Sequence, residues 1–339
     1  MVTIKDISKA LGVSPATVSK ALNGYTDINP QTAERIQTMA KEMHYLPNIA
    51  ARQLKTNRSH NIGVLFVDET NSGLTHDYFA VILNSAKETF EKLGYDVTFI
   101  SDSIAGKKAS FLEHARYRNC DGVLIASVDF TSQQVIDLVN SEIPTVTIDY
   151  AFNSNSCVMS DNVDGQYELT KYVLEMGHRR IGLIHGEMTM VTRKRLNGFY
   201  RALKEFGVEL DPQYEKAAAF HDTKTTAAAV RALMELPAPP TILMCPDDYA
   251  ALGAYTELEK LGLRVPEDIS LTGYDGINLS QVLRPKLTTY YQNSTEIGHQ
   301  SARKLVEEIE DRDNCIDEQI NVKGKLLLGH SVKDLRKEA

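Results

Sequence analysis

The sequence predicts a small head of three helices, with a helix-turn-helix, followed by an α/β body of two doubly wound, parallel-sheet halves. Three short helices with N-terminal capping signals occupy the first 46 residues, and from residue 61 apolar runs alternate with amphipathic segments. Strands and helices that alternate in this way pack as parallel sheets covered on both faces. The segments SHNIGVLF at 59 and HRRIGLIH at 178 each open a half of similar plan, which is why we expect two halves.

Each helix of the head begins at a recognisable cap. Thr3 and Asp6 have the spacing of a capping box, while Ser14 and Asn29 are N-cap residues followed directly by proline. Apolar residues then recur at helical spacing in each segment, the third of which runs over 32–44. Three short helices can therefore share one small core.

The turn between the first two helices is only Gly12-Val13-Ser14. Glycine can adopt the left-handed conformation that ends a helix, so this spacing predicts a helix-turn-helix, whose second helix lies in a DNA major groove. Residues 15, 16 and 20 lie on its outward face towards base edges, whereas short hydroxyl and amide side chains suit phosphates. The predicted DNA contacts in the head are Thr3, Ser14, Pro15, Ala16, Thr17, Ser19, Lys20 and Asn23. The alternative is a three-helix cap with a solvated polar face.

Residues 47–60 predict a hinge with a helix of about two turns, too short to be stable alone in water. Leu54 is an apolar residue in a basic segment, and such leucines can wedge between base steps in the minor groove. We expect Ala51 and Lys55 to contact DNA beside it. The alternative is an ordinary linker whose leucine packs on the neighbouring domain.

Charge is divided unevenly along the chain. The net charge is −8 overall, but residues 1–60 hold eight Lys or Arg and four acids, which gives +4, and the remainder carries −12. A basic head on an acidic body indicates one module for a polyanion and another for a different ligand.

Several classes of function find no support in the sequence. No apolar run is long enough to span a bilayer and no secretory signal opens the chain, so we expect a cytoplasmic protein, at the nucleoid when bound to DNA. The four cysteines have no zinc or redox spacing, and no catalytic motif is present. We therefore expect no enzyme activity, no metal and no cofactor.

The body predicts a ligand cleft, because parallel-sheet halves bind ligands at the carboxyl ends of their strands. The predicted strands are 62–67, 95–100, 122–126, 145–148, 181–185, 241–245 and 269–273. We expect polar residues that follow strands to lie at the cleft, together with two aromatic residues of the first half. These residues are Asp161, Arg193, Asp247, Asp275 and Gln292, with Tyr78 and Phe79. Carboxylates and a guanidinium on one cleft suit a hydroxyl-rich ligand.

Two segments, TIKDISKALGVSPATVSKALNG from residue 3 and AKEMHYLPNIAARQLKTNRSHNIGVL from residue 40, resemble the lactose and galactose repressor family of bacterial transcription regulators, which includes purine repressor and catabolite control members. The resemblance implies a body like that of periplasmic binding proteins, base reading by residues 15, 16 and 20, and intercalation by Leu54. It places Phe220 or His221 near the ring-stacking position of the effector site, and the register near Asp161 could slip to Asp164. Pro15 departs from the longer polar side chains often found there and can offer only apolar contact to a base.

The resemblance divides the chain into a head at 1–46, a hinge at 47–60, a first half at 61–158 with 293–316, and a second half at 159–292 with 317–339. It implies a homodimeric repressor of carbohydrate-utilisation genes that binds a near-palindromic double-stranded operator and a small-molecule effector, a sugar or sugar derivative, with no membrane partner. Three alternatives stay open: a catabolite-control-type regulator tuned by a phosphoprotein, a solute-binding protein, which would need an export signal, and an enzyme of sugar metabolism, which would need a catalytic constellation.

Overall fold

The computed structural model describes residues 2–45, 58–68 and 73–337, which divide into two units, Met1–Ser59 and His60–Ala339. The first unit contains the helices Ile4–Leu11, Pro15–Leu22 and Pro30–Glu42. The first helix opens on the predicted capping box, in which the Thr3 backbone N–H and hydroxyl donate to the carboxylate of Asp6 at 2.8 Å each. It ends at Gly12, whose φ of +66° is the left-handed conformation that favours glycine.

The three helices share one small core of Ile7, Val18, Ala21, Ile36 and Ala40, which are all buried. Val13 packs against this core from the turn, and the Ser8 hydroxyl donates to the Val13 carbonyl at 2.6 Å. The turn is thus fixed by both packing and hydrogen bonding, which sets the angle between the first two helices.

The second unit has two sheets, one in each of two lobes. The sheet of the first lobe has the strand order 319–322, 156–160, 145–148, 122–126, 61–66, 96–100, and every pair in it is parallel. The sheet of the second lobe has the order 325–327, 288–291, 270–275, 242–244, 181–185, 215–217, with only the edge strand 325–327 antiparallel. Counted along the chain within each lobe, the strands have the same order in both sheets. This agrees with the two halves of similar plan that the sequence predicts.

Helices cover both faces of each sheet. Those of the first lobe are Asp77–Lys92, Phe111–Tyr117, Gln133–Val139 and Ser294–Glu310, and those of the second are Asn162–Glu175, Met190–Glu205, Thr223–Met234, Asp248–Lys260 and Asn278–Val282. Smaller elements are the hairpin Ser103–Ile104 with Lys107–Lys108 and the 3-10 turns Gly73–Thr75, Pro212–Tyr214 and Leu335–Lys337.

One helix pair in each lobe approaches closely through a glycine. A Cβ on Gly198 would lie 2.1 Å from the Val163 carbonyl oxygen, and a Cβ on Gly298 would lie 2.3 Å from the Ile82 carbonyl oxygen. Only glycine permits these approaches, because no backbone oxygen can move aside by that distance.

The chain crosses between the lobes three times, near residues 161, 293 and 323. The Asp161 backbone N–H donates to the Val322 carbonyl at 2.9 Å, which ties the first crossing to the third. The structure differs here from the predicted division of the chain: residues 319–322 pair in parallel with Ser156–Ser160 of the first lobe, although 317–339 is predicted in the second. The segment Gln319–Val322 alternates polar and apolar residues, and its sequence does not indicate which sheet edge it extends.

Candidate functional site

The predicted recognition face of the head lies on the helix Pro15–Leu22 and is open to solvent. Ser14, Pro15 and Ala16 are exposed at its N-terminal end, with Thr17 and Ser19 partly exposed. The Ser14 side chain accepts the Thr17 backbone N–H at 3.0 Å and so caps the helix as predicted. Small side chains at this end leave the helix N-terminus accessible to a phosphate or a base edge.

Several predicted DNA contacts already have a partner within the head. Lys20 Nζ pairs with the Asp27 carboxylate, and Asn23 Nδ2 donates to the Ser19 carbonyl at 2.6 Å. Thr3 is held by its capping box. In the predicted DNA contact, Lys20 would exchange the Asp27 carboxylate for a phosphate. The predicted contacts Ala51, Leu54 and Lys55 lie outside the described residues.

A cavity of about 240 Å³ lies between the two lobes, at the carboxyl ends of their strands. Both lobes contribute to its wall, which combines aromatic rings with carboxylates. Its lining residues include Asp68, His76, Tyr78, Phe79, Phe130, Asp149, Tyr150, Glu187, Arg195, Phe220, Asp247, Asp275 and Gln292. Concave, ring-lined sites with a few polar groups are typical of small-molecule binding sites.

Arg195 lies at the centre of the charged part of the wall. Its guanidinium donates to Asn162 Oδ1 at 2.9 Å and to the Pro246 carbonyl at 2.7 Å, and it stands 3.7 Å from the Tyr274 ring centroid. Its Nη2 is 3.8 Å from Asp275 Oδ1. These partners fix the guanidinium in one plane and orient it towards the carboxylates.

Two carboxylates face Arg195, one from each lobe. Asp275 Oδ1 accepts the Gln292 amide Nε2–H at 2.6 Å, and Asp149 Oδ2 accepts the Tyr78 hydroxyl at 3.1 Å. Burial raises the pKa of both Asp149 and Asp275, although Arg195 opposes the shift. Burial also raises the pKa of Tyr78 well above its usual value, so this hydroxyl remains a donor.

Asp247 fixes the second lobe's edge of the cavity. It caps the helix Asp248–Lys260 by accepting the Ala250 backbone N–H at 2.6 Å, and its other oxygen accepts the His221 backbone N–H at 2.8 Å. His221 has a φ of +54°, and the neighbouring Phe220 ring lies in the wall. The Asp247 carboxylate thus holds the strained turn that presents the Phe220 ring.

Asp248, which the sequence analysis did not single out, is fully buried behind this wall. It accepts the Thr289 hydroxyl at 2.6 Å and the Ile277 backbone N–H at 2.9 Å. Burial, with a contribution from nearby Asp247, raises the pKa of Asp248 to about 8. A Cβ on Gly273 would lie 2.1 Å from Asp248 Oδ1, so the strand needs glycine at that position.

A stack of three rings joins the lobes at the rim of the cavity. The His76 ring of the first lobe lies 4.2 Å from the His221 ring of the second, and His221 lies 4.0 Å from the Tyr249 ring, with interplanar angles of 20° and 14°. Burial, and the nearby charge of His221, lower the pKa of His76 to about 4. His76 is therefore neutral at pH 7, which allows the two imidazoles to stack.

Tyr78, Phe79, Phe220, Asp247, Asp275 and Gln292 line the cavity as predicted, and His221 stacks at its rim. Two predictions are corrected. Arg193 is exposed, and Arg195 takes the cavity position, because two residues along a helix turn a side chain through about 200°. Asp161 lies at the first crossing and caps the helix Asn162–Glu175 by accepting the Asp164 backbone N–H, and Asp164 pairs with Arg201.

Asp149, His76 and Tyr150 also line the cavity but are not predicted from the sequence. Asp149 directly follows the predicted strand 145–148, so the rule that found Asp247 and Asp275 applies to it equally. His76 and Tyr150 gave no comparable signal, because their roles depend on rings from elsewhere in the chain: His76 stacks on His221, and Tyr150 stacks on Phe130 at 4.6 Å.

No helix among the described residues is long and apolar enough to cross a lipid bilayer. Within residues 2–45, 58–68 and 73–337, no group of three His, Cys, Asp or Glu side chains is arranged to hold a metal ion.

Two family models match the chain. Residues 3–48 match "Bacterial regulatory proteins, lacI family", and residues 59–326 match "Periplasmic binding proteins and sugar binding domain of LacI family". The boundary between the two matches agrees with the division at Ser59 in the structure.

Similar proteins and structures agree with these matches. The chain is 34% identical to the HTH-type transcriptional repressor PurR of Haemophilus influenzae over 99% of this chain and all of that one, and 32% identical to PurR of Aliivibrio salmonicida over 92% and 93%. A structure of a transcriptional regulator CelR–cellobiose complex matches at 25% identity and a TM-score of 0.70, covering 98% of this chain and all of that one. The lac repressor dimer bound to operator and the anti-inducer ONPF matches in fold, with 23% identity and a TM-score of 0.81 over 98% and 99%.

Proposed function

Because the chain belongs to the lacI family of bacterial regulatory proteins, we propose that it is a ligand-responsive transcription repressor. In this proposal it binds a near-palindromic operator as a homodimer, and a small hydroxylated molecule binds in the cavity between the lobes. Its target genes are those for use of a carbohydrate or a related compound. The family match to a sugar-binding domain, and the cellobiose named with CelR, support this class of ligand.

The observation that carries the proposal is the composition of the cavity wall from both lobes. Asp149 and Tyr78 come from the first lobe, and Asp275 and Gln292 lie at the second lobe and its crossing. A ligand that bonds both sets gains contacts only when the lobes are closed. Its binding energy therefore favours the closed arrangement, which is the differential affinity that a switch requires.

The proposed coupling runs from lobe closure to the hinge predicted around Leu54. Closure changes how the first lobes of the two subunits meet, and this change permits or prevents the ordering of the two hinge helices on the operator. A helix of two turns is marginal alone, so a small bias decides whether it forms. Coupling free energies of this kind are about 1 to 3 kcal/mol, or about 5-fold to 150-fold in operator affinity.

The experiment that tests the proposal is selection of tight sites from a random DNA duplex library by the purified full chain, repeated with a pool of sugars and nucleosides. We expect a palindromic site whose recovery changes when the pool is present. Its affinity should fall with the logarithm of salt concentration at about −0.9 per phosphate neutralised.

Two matched lysine variants localise the binding. Lys20→Ala removes a charge from the recognition helix, and Lys41→Ala removes one from the exposed end of the third helix. Only Lys20→Ala should weaken the selected site and relax its sequence. Equal losses in the two variants, or salt-independent binding, would contradict DNA recognition by the helix Pro15–Leu22.

A further inference from the structure

The cavity wall has more carboxyl groups than cationic groups. Five carboxylates line it, from Asp68, Asp149, Glu187, Asp247 and Asp275, whereas Arg195 is the only lysine or arginine among its described lining residues. Lys194 lies near Asp149 but outside the lining. His76 is neutral at pH 7. Even without Asp68, four carboxyl groups of the described lining face this one fixed cation, Arg195. Burial raises the pKa of three of them, Asp149, Asp247 and Asp275, because a buried anion without a counter-charge is costly.

Arg195 is partly occupied by groups of the protein itself. Two of its nitrogens donate to Asn162 and Pro246, the third faces Asp275, and one face of the guanidinium covers the Tyr274 ring. A phosphate or carboxylate needs a free fork of N–H donors. The N–H groups of Nη2 face Asp275, so an anionic ligand at this fork would compete with that carboxyl group.

At least one buried acceptor at the cavity is left unpaired by the residues that the structure describes. Gln292 is 2% exposed, and because its Nε2 donates to Asp275, its Oε1 is fixed in orientation as an acceptor with no partner among the described residues. Buried His76 Nδ1 likewise has no partner within the described part of the chain. Buried acceptors without donors cost free energy, so the wall is complementary to a ligand rich in N–H and O–H groups.

We propose that the ligand of this cavity is a hydroxylated molecule that carries a protonated amine, and that phosphorylated or carboxylated molecules are excluded. This inference rests on the function proposed above and specifies its effector. Neutral hydroxyls can satisfy the acceptors, but only a cation also favours the ionised form of the buried carboxyl groups. The rings of Phe79, Phe130 and Phe220 add faces on which a cation or a sugar ring can lie.

The test uses matched sets of sugars that differ in charge. Glucose, galactose and mannose are each compared with the hexosamine, the N-acetylhexosamine and the hexose 6-phosphate, by thermal unfolding of the full chain at pH 6.5. A ligand that binds only the folded lobes raises their midpoint with concentration. We expect at least one hexosamine to bind about tenfold or more tightly than its neutral partners, and no 6-phosphate to bind.

Asparagine variants provide an independent measurement. Asp149→Asn and Asp247→Asn keep the shape of the side chain and remove a carboxyl group. Asn at 149 can donate its amide N–H to the Tyr78 oxygen and accept the Ser160 N–H. Asn at 247 can still cap its helix but loses the oxygen that accepts the His221 N–H. Asp149→Asn should raise the midpoint of the ligand-free lobes, and both variants should reduce the preference for the amine. The exposed variant Asp102→Asn removes the same charge away from the cavity and should change neither quantity.

The proposal is overturned if no amine stabilises the lobes, if a neutral or phosphorylated sugar stabilises them more than its amine, or if the two asparagine variants strengthen the amine preference. Failure of the proposed function has a different signature. If a neutral sugar releases the operator, the proposed repressor function stands and only the amine proposal fails. If an amine binds but no operator is selected, the proposed repressor function fails.

Discussion

The head and the lobes solve the problem of recognition in opposite ways. The recognition face of the head is exposed, and its residues lie within ten positions of one another on one helix and its cap. The cavity is lined by residues of both lobes, from Asp68 to Gln292, that meet only after two sheets have formed. The head can therefore change its target by surface substitutions, whereas most substitutions in the cavity also change folding.

Stability is distributed in the same unequal way. The head has five buried core residues, while each lobe has apolar clusters on both faces of its sheet. A small core supplies only a few kcal/mol. Substitutions of similar chemistry should thus unfold the head but only weaken the lobes.

The largest effect that we expect is from Arg195→Met in the cavity. Removing the guanidinium leaves Asp149, Asp247 and Asp275 without their cation, and breaking a buried ion pair from one side costs about 3 to 5 kcal/mol. Urea unfolding followed by circular dichroism should show this loss. Arg193→Met, on the exposed face of the same helix, is the control. Equal effects of the two would mean that the contacts of Arg195 with the buried carboxyl groups contribute nothing to stability.

Next in size is Ile36→Ala in the core of the head. Truncation of a buried isoleucine costs about 2 to 5 kcal/mol, comparable to the whole stability of a core this small. Amide hydrogen exchange over residues 4–42 should approach that of an unfolded chain while protection in the lobes is unchanged. Gln37→Ala, exposed on the same helix, should leave both unchanged. A parallel loss of protection in the lobes would show that the two units fold together.

The same contrast explains what the sequence predicts well. The helices of the head are specified by neighbours: Thr3 with Asp6, Gly12 at the left-handed position, Ser14 before Pro15. Strands 122–126, 145–148 and 181–185 begin and end as predicted, because each is a buried apolar run between polar residues.

Predictions for the cavity were less complete for a physical reason. The rule that polar residues follow strands finds Asp247 and Asp275, but the choice between Arg193 and Arg195 depends on which helix face packs inwards. The edge strand 319–322 and the stack of His76 on His221 depend on contacts between distant segments. Local patterns carry no information about such pairs.

A third prediction concerns the pH dependence of stability, which should differ between the head and the lobes. The pKa of Asp248 is raised from its usual value near 4 to about 8 in the folded lobes, so between these values the folded state binds a proton that the unfolded state does not. This contribution to stability is present at low pH and is lost as pH rises towards 8. The head contains no such buried carboxyl among residues 2–45.

Asp248→Asn should remove this part of the dependence, because Asn resembles the protonated carboxyl: its oxygen can accept the Ile277 N–H and its amide can donate to Thr289. We expect the variant to gain stability over the parent chain between pH 5 and pH 8 in thermal unfolding of the lobes. The pKa values of Asp149, Asp247 and Asp275 are also raised, so the stability of the variant should still fall as pH rises, but less steeply. An identical pH profile for the two proteins would mean that Asp248 is ionised in the folded state.

The smallest effect that we expect distinguishes a structural from a DNA-binding role at Ser14. Ser14→Ala removes the cap on Thr17 and should cost about 1 kcal/mol of head stability. Ser14→Asp keeps a capping oxygen and favours the helix dipole, so the head should be as stable as before. A carboxylate there would nevertheless repel a phosphate, so operator affinity should fall in Ser14→Asp although stability does not. Undiminished affinity in this variant would mean that Ser14 serves only as a cap, and that the exposed face begins its contacts further along the helix.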